Sequence, residues 1–164
     1  MTTIAVTGHL DLTEGSVALV RTALNDLLRP YAGDGGPLVG VSCIAEGADT
    51  LFAEAVLAAG GRLVVVVPAR DYRRNVVGPE QRASYDLLVE AAEEVVLLPH
   101  ETSDRQAYEA ANAVLVERAD RLVAVWDGAP PTGRGGGTAD AVLEARAAGV
   151  PVDVVWPDGA ARRG

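Results

Sequence analysis

The chain has 164 residues, which suits one domain with a sizeable core. Apolar residues make up 49% of it and aromatics only 4%, so Ala, Val and Leu must build most of that core. A net charge of −9 argues against a large phosphate-backbone footprint, which needs clustered Lys and Arg. The same charge leaves room for a small phosphate ligand, because backbone amides bind one without net positive charge. Cys43 is the single cysteine, so no internal disulfide forms, which fits a reducing cytosol. The N-terminal "MTTIAVTGHLD" has no basic region followed by an apolar run, and the longest apolar run, near Leu63–Val67, is too short to span a bilayer. A cytoplasmic protein with no membrane partner is expected.

Short β-rich runs alternate with longer Ala/Leu segments. Thr3–Thr7 predicts a strand, and a helix from about Thr13 to Leu28 ends at Pro30. Pro37–Ser42 predicts the second strand and Ala48–Ala59 the second helix, stopped by Gly60 and Gly61. Arg62–Val67 is the third strand, and its unbroken valines suggest burial on both faces. Pro79–Ala92 predicts a helix with Pro in its first turn, and Glu94–Leu98 a fourth strand. Ser103 and Gln106 have capping-box spacing, so a helix is expected to start there. Asp120–Trp126 is the fifth strand; a helix from Thr138 ends at Gly149; Val150–Trp156, with its Pro, suits an edge strand. Such alternation means βαβ units and a parallel sheet with helices on both faces, so the fold class is a doubly wound, mainly parallel α/β sandwich of Rossmann-like type. The expected layout is a single nucleotide-binding domain over residues 1–157 with a frayed tail over 158–164. The Gly/Pro-rich stretches at 33–37 and 128–137 are loops within that domain.

Ligands of such sheets bind outside the carboxyl ends of the strands, so the strand-to-helix loops carry the function. After strand 1, "TGHLD" offers Gly8 for a close backbone approach, with His9 at the same edge. No metal-ligand spacing supports His9, since the other histidine is the distant His100. After strand 2, "SCIAEGAD" presents Ser42, Glu46, Gly47 and Asp49; helix capping by Asp49 is the rival explanation there. After strand 5, Asp127 leads into Gly135, Gly136, Gly137, Thr138 and Asp140. Three glycines ahead of a helix leave N–H donors unshielded where the helix dipole is positive, which favours an anion over a mere connecting loop. No Gly-Lys-Ser/Thr follows, so this is not a Walker A loop, and no GxGxxG is present. Arg70, Arg73 and Arg74 after strand 3 either meet a phosphate or offset nearby carboxylates. Tyr108 and Asn112 are assigned to packing or surface, and Trp126 to the core.

Taken together, "TGH", "S-x-x-A-E-G-A-D" and "WDG…GGGTAD" resemble the SLOG superfamily, which includes Lonely Guy-type phosphoribohydrolases, DprA-type DNA-processing proteins and YpsA-like proteins. The resemblance runs from Val6 to Val155. It implies a homodimer whose glycine loops bind a nucleotide or nucleotide-derived small molecule, with Gly8, Ser42, Gly47, Asp49, Gly136, Gly137 and Thr138 lining the pocket. No cofactor and no metal are expected.

The departures bear on catalysis. Lonely Guy enzymes carry P-G-G-x-G-T-x-x-E, ending in a catalytic glutamate. Aligned on Thr138, the proline position holds Gly133, the next glycine is Arg134, and Ala141 takes the glutamate's place. Glu144 lies one helical turn too late. A sensor or binding domain is therefore expected, acting on no nucleic acid because an acidic surface is poor for single strands. The alternative is cleavage of an N-glycosidic bond by a relocated carboxylate from Glu46, Asp49, Asp127 or Asp140.

Overall fold

The computed structural model describes residues 1–33 and 37–164, so most of the loop expected at 33–37 lies outside the described residues. Six strands form the sheet: β1 (Thr2–Gly8), β2 (Leu38–Ser42), β3 (Arg62–Val67), β4 (Glu94–Leu97), β5 (Arg121–Val125) and β6 (Val152–Val154). Their order is β4-β3-β2-β1-β5-β6, and every pairing is parallel. Between them run α1 (Glu14–Leu28), α2 (Ala48–Ala58), α3 (Arg82–Ala91), α4 (Arg105–Arg118) and α5 (Thr138–Ala147). The expected α/β, Rossmann-like sandwich is what forms.

Alternation along each strand sorts the core into two faces. Ile4 and Val6 of β1 and Val123 and Val125 of β5 pack with Val20 and Leu24 of α1 and Phe52 of α2. Val65 and Val67 continue that face under α3 through Tyr85 and Leu88. Ala5, Val41, Val64, Val66 and Leu122 point the other way, against Leu115 of α4 and Ala145 of α5. Each such Val or Leu contributes about 1.5–3 kcal/mol when it leaves water. The order reverses between β1 and β5, so their carboxyl ends mark the topological switch point.

Local chemistry sets the helix ends. Thr13 caps α1 by accepting the Ser16 amide, and Pro30 sits in a short 3₁₀ turn that ends the helix. Pro79 opens a 3₁₀ turn ahead of α3. The start of α4 differs from the Ser103/Gln106 expectation. Asp104 is the cap, accepting the Ala107 amide at 3.0 Å. Ser103 is diverted because both its amide and its hydroxyl donate to Asp71 Oδ1, at 2.8 and 2.6 Å. A carboxylate, charged and close, outcompetes a weaker cap.

The C-terminal residues, expected to fray, make specific contacts with the segment after β1. Leu12 and Arg162 form an antiparallel bridge. Thr13 N–H donates to Ala161 O at 3.1 Å and Arg163 N–H to Asp11 O at 2.6 Å. Ser16, only 1% exposed, donates its hydroxyl to Ala161 O at 3.1 Å and accepts the Ala161 amide at 2.8 Å. Composition gave no sign of this, because the partner strand segment lies some 150 residues away in the chain.

Ser16→Ala removes that double contact and takes away the acceptor of the Ala161 amide, while Thr13 still donates to the Ala161 carbonyl. We expect a loss of about 1–3 kcal/mol in urea unfolding and faster amide exchange at Ala161 and Arg163.

Candidate functional site

The carboxyl end of β1 is pressed against α2. A side chain at Gly8 would collide with Ala48 Cβ and, at 2.9 Å, with Val125 Cβ. Gly47 caps α2 at φ +81°, and a Cβ there would lie 2.7 Å from His9 O. The Ala48 amide donates to that same carbonyl at 3.3 Å. These contacts set the direction in which the first turn of α2 leaves the sheet.

Ser42, fully buried at the end of β2, holds the intervening loop. Its hydroxyl donates to Asp49 O at 3.0 Å and accepts the Ile44 amide at 3.0 Å. Ile44 adopts φ +46°, a strained left-handed conformation for a β-branched residue. The chain thereby doubles back and puts Asp49 and Cys43 into a shared recess.

That recess is a cavity of about 370 Å³ at the carboxyl ends of β1, β2 and β3, roofed by α4 and the start of α5. It brings together Gly8, Glu46, Asp49, Gly136, Gly137 and Thr138 of the expected set. Its remaining wall includes Cys43, Tyr72, Val77, Tyr108, Asn112 and Leu115. Tyr108, Ala111, Asn112 and Leu115 are one face of α4 at helical spacing. Sequence reasoning passed over Tyr108 and Asn112; the signal available was two polar residues four apart on an otherwise apolar stripe.

The other expected residues lie around the cavity and not on it. His9 is buried, with Nε2 3.2 Å from the Asp127 amide and 3.1 Å from Asp127 Oδ1, and its ring meets Trp156 edge-on at 5.7 Å. Asp127 also accepts the Ala129 amide at 2.9 Å and faces Arg162 at 3.6 Å. Although partial burial opposes it, these partners hold the Asp127 carboxyl below its usual value. His9 and Asp127 thus tie the end of β1 to the end of β5. Trp126 is half-buried, donating Nε1–H to Ala129 O at 3.0 Å with the Arg146 guanidinium 6.0 Å from its ring. Arg70 pairs with Glu101 at 2.6 Å and Arg73 with Asp86 at 2.7 Å, so both offset carboxylates.

The glycine loop has a second reason for its composition. Gly135 and Gly136 have φ of +75° and +71°. Added Cβ atoms would lie 2.5 Å from Glu109 Oε1 and 2.5 Å from Tyr108 Cβ, so these glycines let the loop lie flat on α4. Gly137 has an ordinary φ of −87°, and a Cβ there would meet only Asp140 Oδ2, at 3.5 Å. Its carbonyl is 3.4 Å from Asn112 Nδ2. Asp140 accepts the Gly137 amide at 3.1 Å, which occupies one donor of the expected cradle. The first-turn amides of α5 beyond it have no intrahelical acceptor. Ala141 is fully buried where a Lonely Guy enzyme carries its glutamate.

Asp49 differs electrostatically from the other carboxylates. It is 8% exposed, and burial pushes its carboxyl up to about 7 against the lowering effect of the Ala45 amide. Burial likewise raises the Cys43 thiol and the Tyr72 hydroxyl well above their usual values. Asp71, by contrast, is held low, first by the Ser103 hydroxyl. Among the described residues no cluster of three or more His, Cys, Asp or Glu side chains is arranged to hold a metal ion, and no helix is long and apolar enough to cross a membrane.

A parallel α/β domain with a cavity across its strand ends is a Rossmann-like architecture. No protein-family model matches the chain, and no curated protein is similar to it. Solved structures are. DNA processing protein A (DprA) of Streptococcus pneumoniae matches 97% of the chain at TM-score 0.68 and 20% identity, the match covering 52% of that protein. DNA processing protein A of Helicobacter pylori matches 98% at TM-score 0.62 and 16% identity, over 68% of that chain. The Moco carrier protein of Chlamydomonas reinhardtii matches 93% at TM-score 0.54 and 18% identity, over 74% of that chain. The likeness to all three is one of fold, the Rossmann-like architecture expected from the three loops. The chain spans about half the length of the pneumococcal protein.

One expectation needs correction. The Helicobacter structure is described by its single-stranded DNA binding mode, and that fold is shared here, so an acidic composition does not exclude nucleic acid. Net charge averages over the whole surface, whereas a groove responds to the groups that line it.

Asp49 makes a signed pH prediction. Between about pH 4 and pH 7 the folded state keeps a proton that the unfolded state has lost, so stability falls as pH rises through that window and levels off above it. The full span corresponds to about 4 kcal/mol. Asp49→Asn should flatten this dependence and be more stable than the parent at pH 8, measured by urea unfolding across pH.

Proposed function

We propose that the cavity binds a nucleotide or nucleotide-derived small molecule and that the domain serves as a sensor or binding module for it. The carrying observation is one cavity that combines a helix N-terminus beside Gly136, Gly137 and Thr138 with an apolar wall from Cys43, Val77 and Leu115. A helix N-terminus receives a phosphate through free amides and its dipole. A flat heterocycle suits the apolar wall and the Tyr108 side, and Asn112 supplies a polar contact. A volume of about 370 Å³ is on the scale of a small-molecule site. The loop-side replacement of glutamate by Ala141 supports binding over turnover.

A second reading has its own observation. Of the four carboxylates that could replace the missing glutamate, Asp127 is engaged with His9 and Arg162, Asp140 holds the Gly137 amide, and Glu46 is exposed at the rim. Asp49 alone is buried on the cavity and titrates near 7, as a general acid or base requires. Hydrolysis of an N-glycosidic bond would then run through Asp49.

Two measurements separate these readings. A thermal-shift screen over nucleoside monophosphates should find a ligand that raises Tm by about 5–10 °C at roughly 100 times its Kd. Gly137→Val should stay folded, because its backbone conformation is ordinary, and lose that shift; a retained shift would move the ligand elsewhere. Incubation with AMP and its relatives should release no free base or ribose phosphate. Release that Asp49→Asn abolishes would establish the hydrolase reading instead.

A further inference from the structure

Provided the nucleotide reading holds, specificity in this cavity falls to Asp49. Two carboxylates line the cavity, and Glu46 is exposed while Asp49 is more than nine-tenths buried. The titratable groups that feel Asp49 are the Cys43 thiol from the end of β2 and the Tyr72 hydroxyl from the turn after β3; beyond Cys43 lie Tyr108 from α4 and Tyr85 from α3. All four are displaced upward by burial, so they stay neutral through the range in which Asp49 titrates. None of them is a cation. The Ala45 amide lowers the carboxyl's pKa without cancelling the effect of burial. A carboxylate on a cavity wall has acceptor capacity to offer the donors of a ligand.

We infer that Asp49 reads the donor edge of a planar heterocycle, one that carries an amino group beside a ring N–H, as guanine and pterins do. Two parallel N–H···O bonds match the two oxygens of a carboxylate. Adenine presents a donor beside an acceptor on its corresponding edge, so it leaves one carboxylate oxygen unpaired. In this pose the ring lies against Tyr72 and Val77, which share the cavity with Asp49, and its substituent extends to Gly137 and Thr138.

Recognition of this kind requires ionised Asp49. Affinity for a donor-edge ligand therefore rises about fivefold from pH 6 to pH 7 and about tenfold by pH 8, levelling off above that. The test is calorimetric titration of the full chain with GMP, AMP and unsubstituted pterin at pH 6, 7 and 8, repeated with Asp49→Asn. AMP carries the same phosphate as GMP, so phosphate titration cancels between them. We expect GMP to bind more tightly than AMP with the rising pH profile, and Asp49→Asn to lose roughly tenfold for GMP, lose the profile, and keep its AMP affinity. The wild-type profile alone decides the matter if the variant does not fold. Equal GMP and AMP binding, flat with pH and unchanged by Asp49→Asn, overturns the role of Asp49 and leaves the nucleotide reading standing. Pterin binding without GMP binding keeps the donor edge and overturns the nucleotide; binding of none of the three overturns both.

Discussion

The contact on which the site depends is between backbones. Gly8 ends β1 and Gly47 caps α2, and neither carries a side chain, so Ala48 can reach the His9 carbonyl. Everything downstream follows from that approach. It fixes the exit direction of α2, which carries Asp49 into the recess. It also forces the preceding loop into so tight a return that Ile44 accepts a left-handed conformation, held there by the Ser42 hydroxyl. A methyl group at either glycine would push the two loops apart and open the floor of the cavity.

Polar groups near the strand ends divide into two kinds. Those that build the frame are satisfied within it: Ser42 bridges Ile44 and Asp49, Asp71 gathers Ser103 and Asn75, and His9 joins Asp127 across the switch point. Asp49 is of the other kind, a buried carboxyl on the cavity wall whose pKa burial raises. Folding tolerates such a group at a cost of stability, and that cost falls where a ligand can offset it. Strain at Ile44 and the buried carboxyl lie five residues apart on the same loop and helix turn. Both are features that a purely structural connection would have no reason to keep.

The fold was legible in the sequence because its signals were local and mutually consistent. The valines of Arg62–Val67 announced a strand buried on both faces, and Pro30, Gly60 and Gly149 closed helices where expected. Errors arose where a distant partner decided the outcome. Ser103 has the spacing of a cap, yet Asp71, thirty-two residues earlier, takes both its donors. The tail's contacts with Asp11 and Ser16 were equally out of reach of any local pattern. The site was legible in outline, since the three loops do converge. Its glycines were legible only in part: Gly135 and Gly136 answer to the surface of α4, which no local pattern reveals. Tyr108 and Asn112 gave only a faint signal, two polar residues four apart on an apolar stripe, which does not say that the stripe faces a cavity. Charge misled about partners, since a whole-chain sum says little about one groove.

The anchored tail has a practical corollary for handling the molecule. Arg163 lies 4.0 Å from Glu46, which borders the cavity mouth, whereas Thr2 opens β1 at the other end of the sheet. A tag, label or fused domain attached after Gly164 would emerge beside the entrance and obstruct it, and would strain the pairing of Arg162 with Asp11. The same attachment ahead of Met1 would leave from the far side. Immobilisation through the N-terminus therefore presents an open entrance to solution, while a fluorophore at the C-terminus becomes a proximity reporter for whatever arrives there.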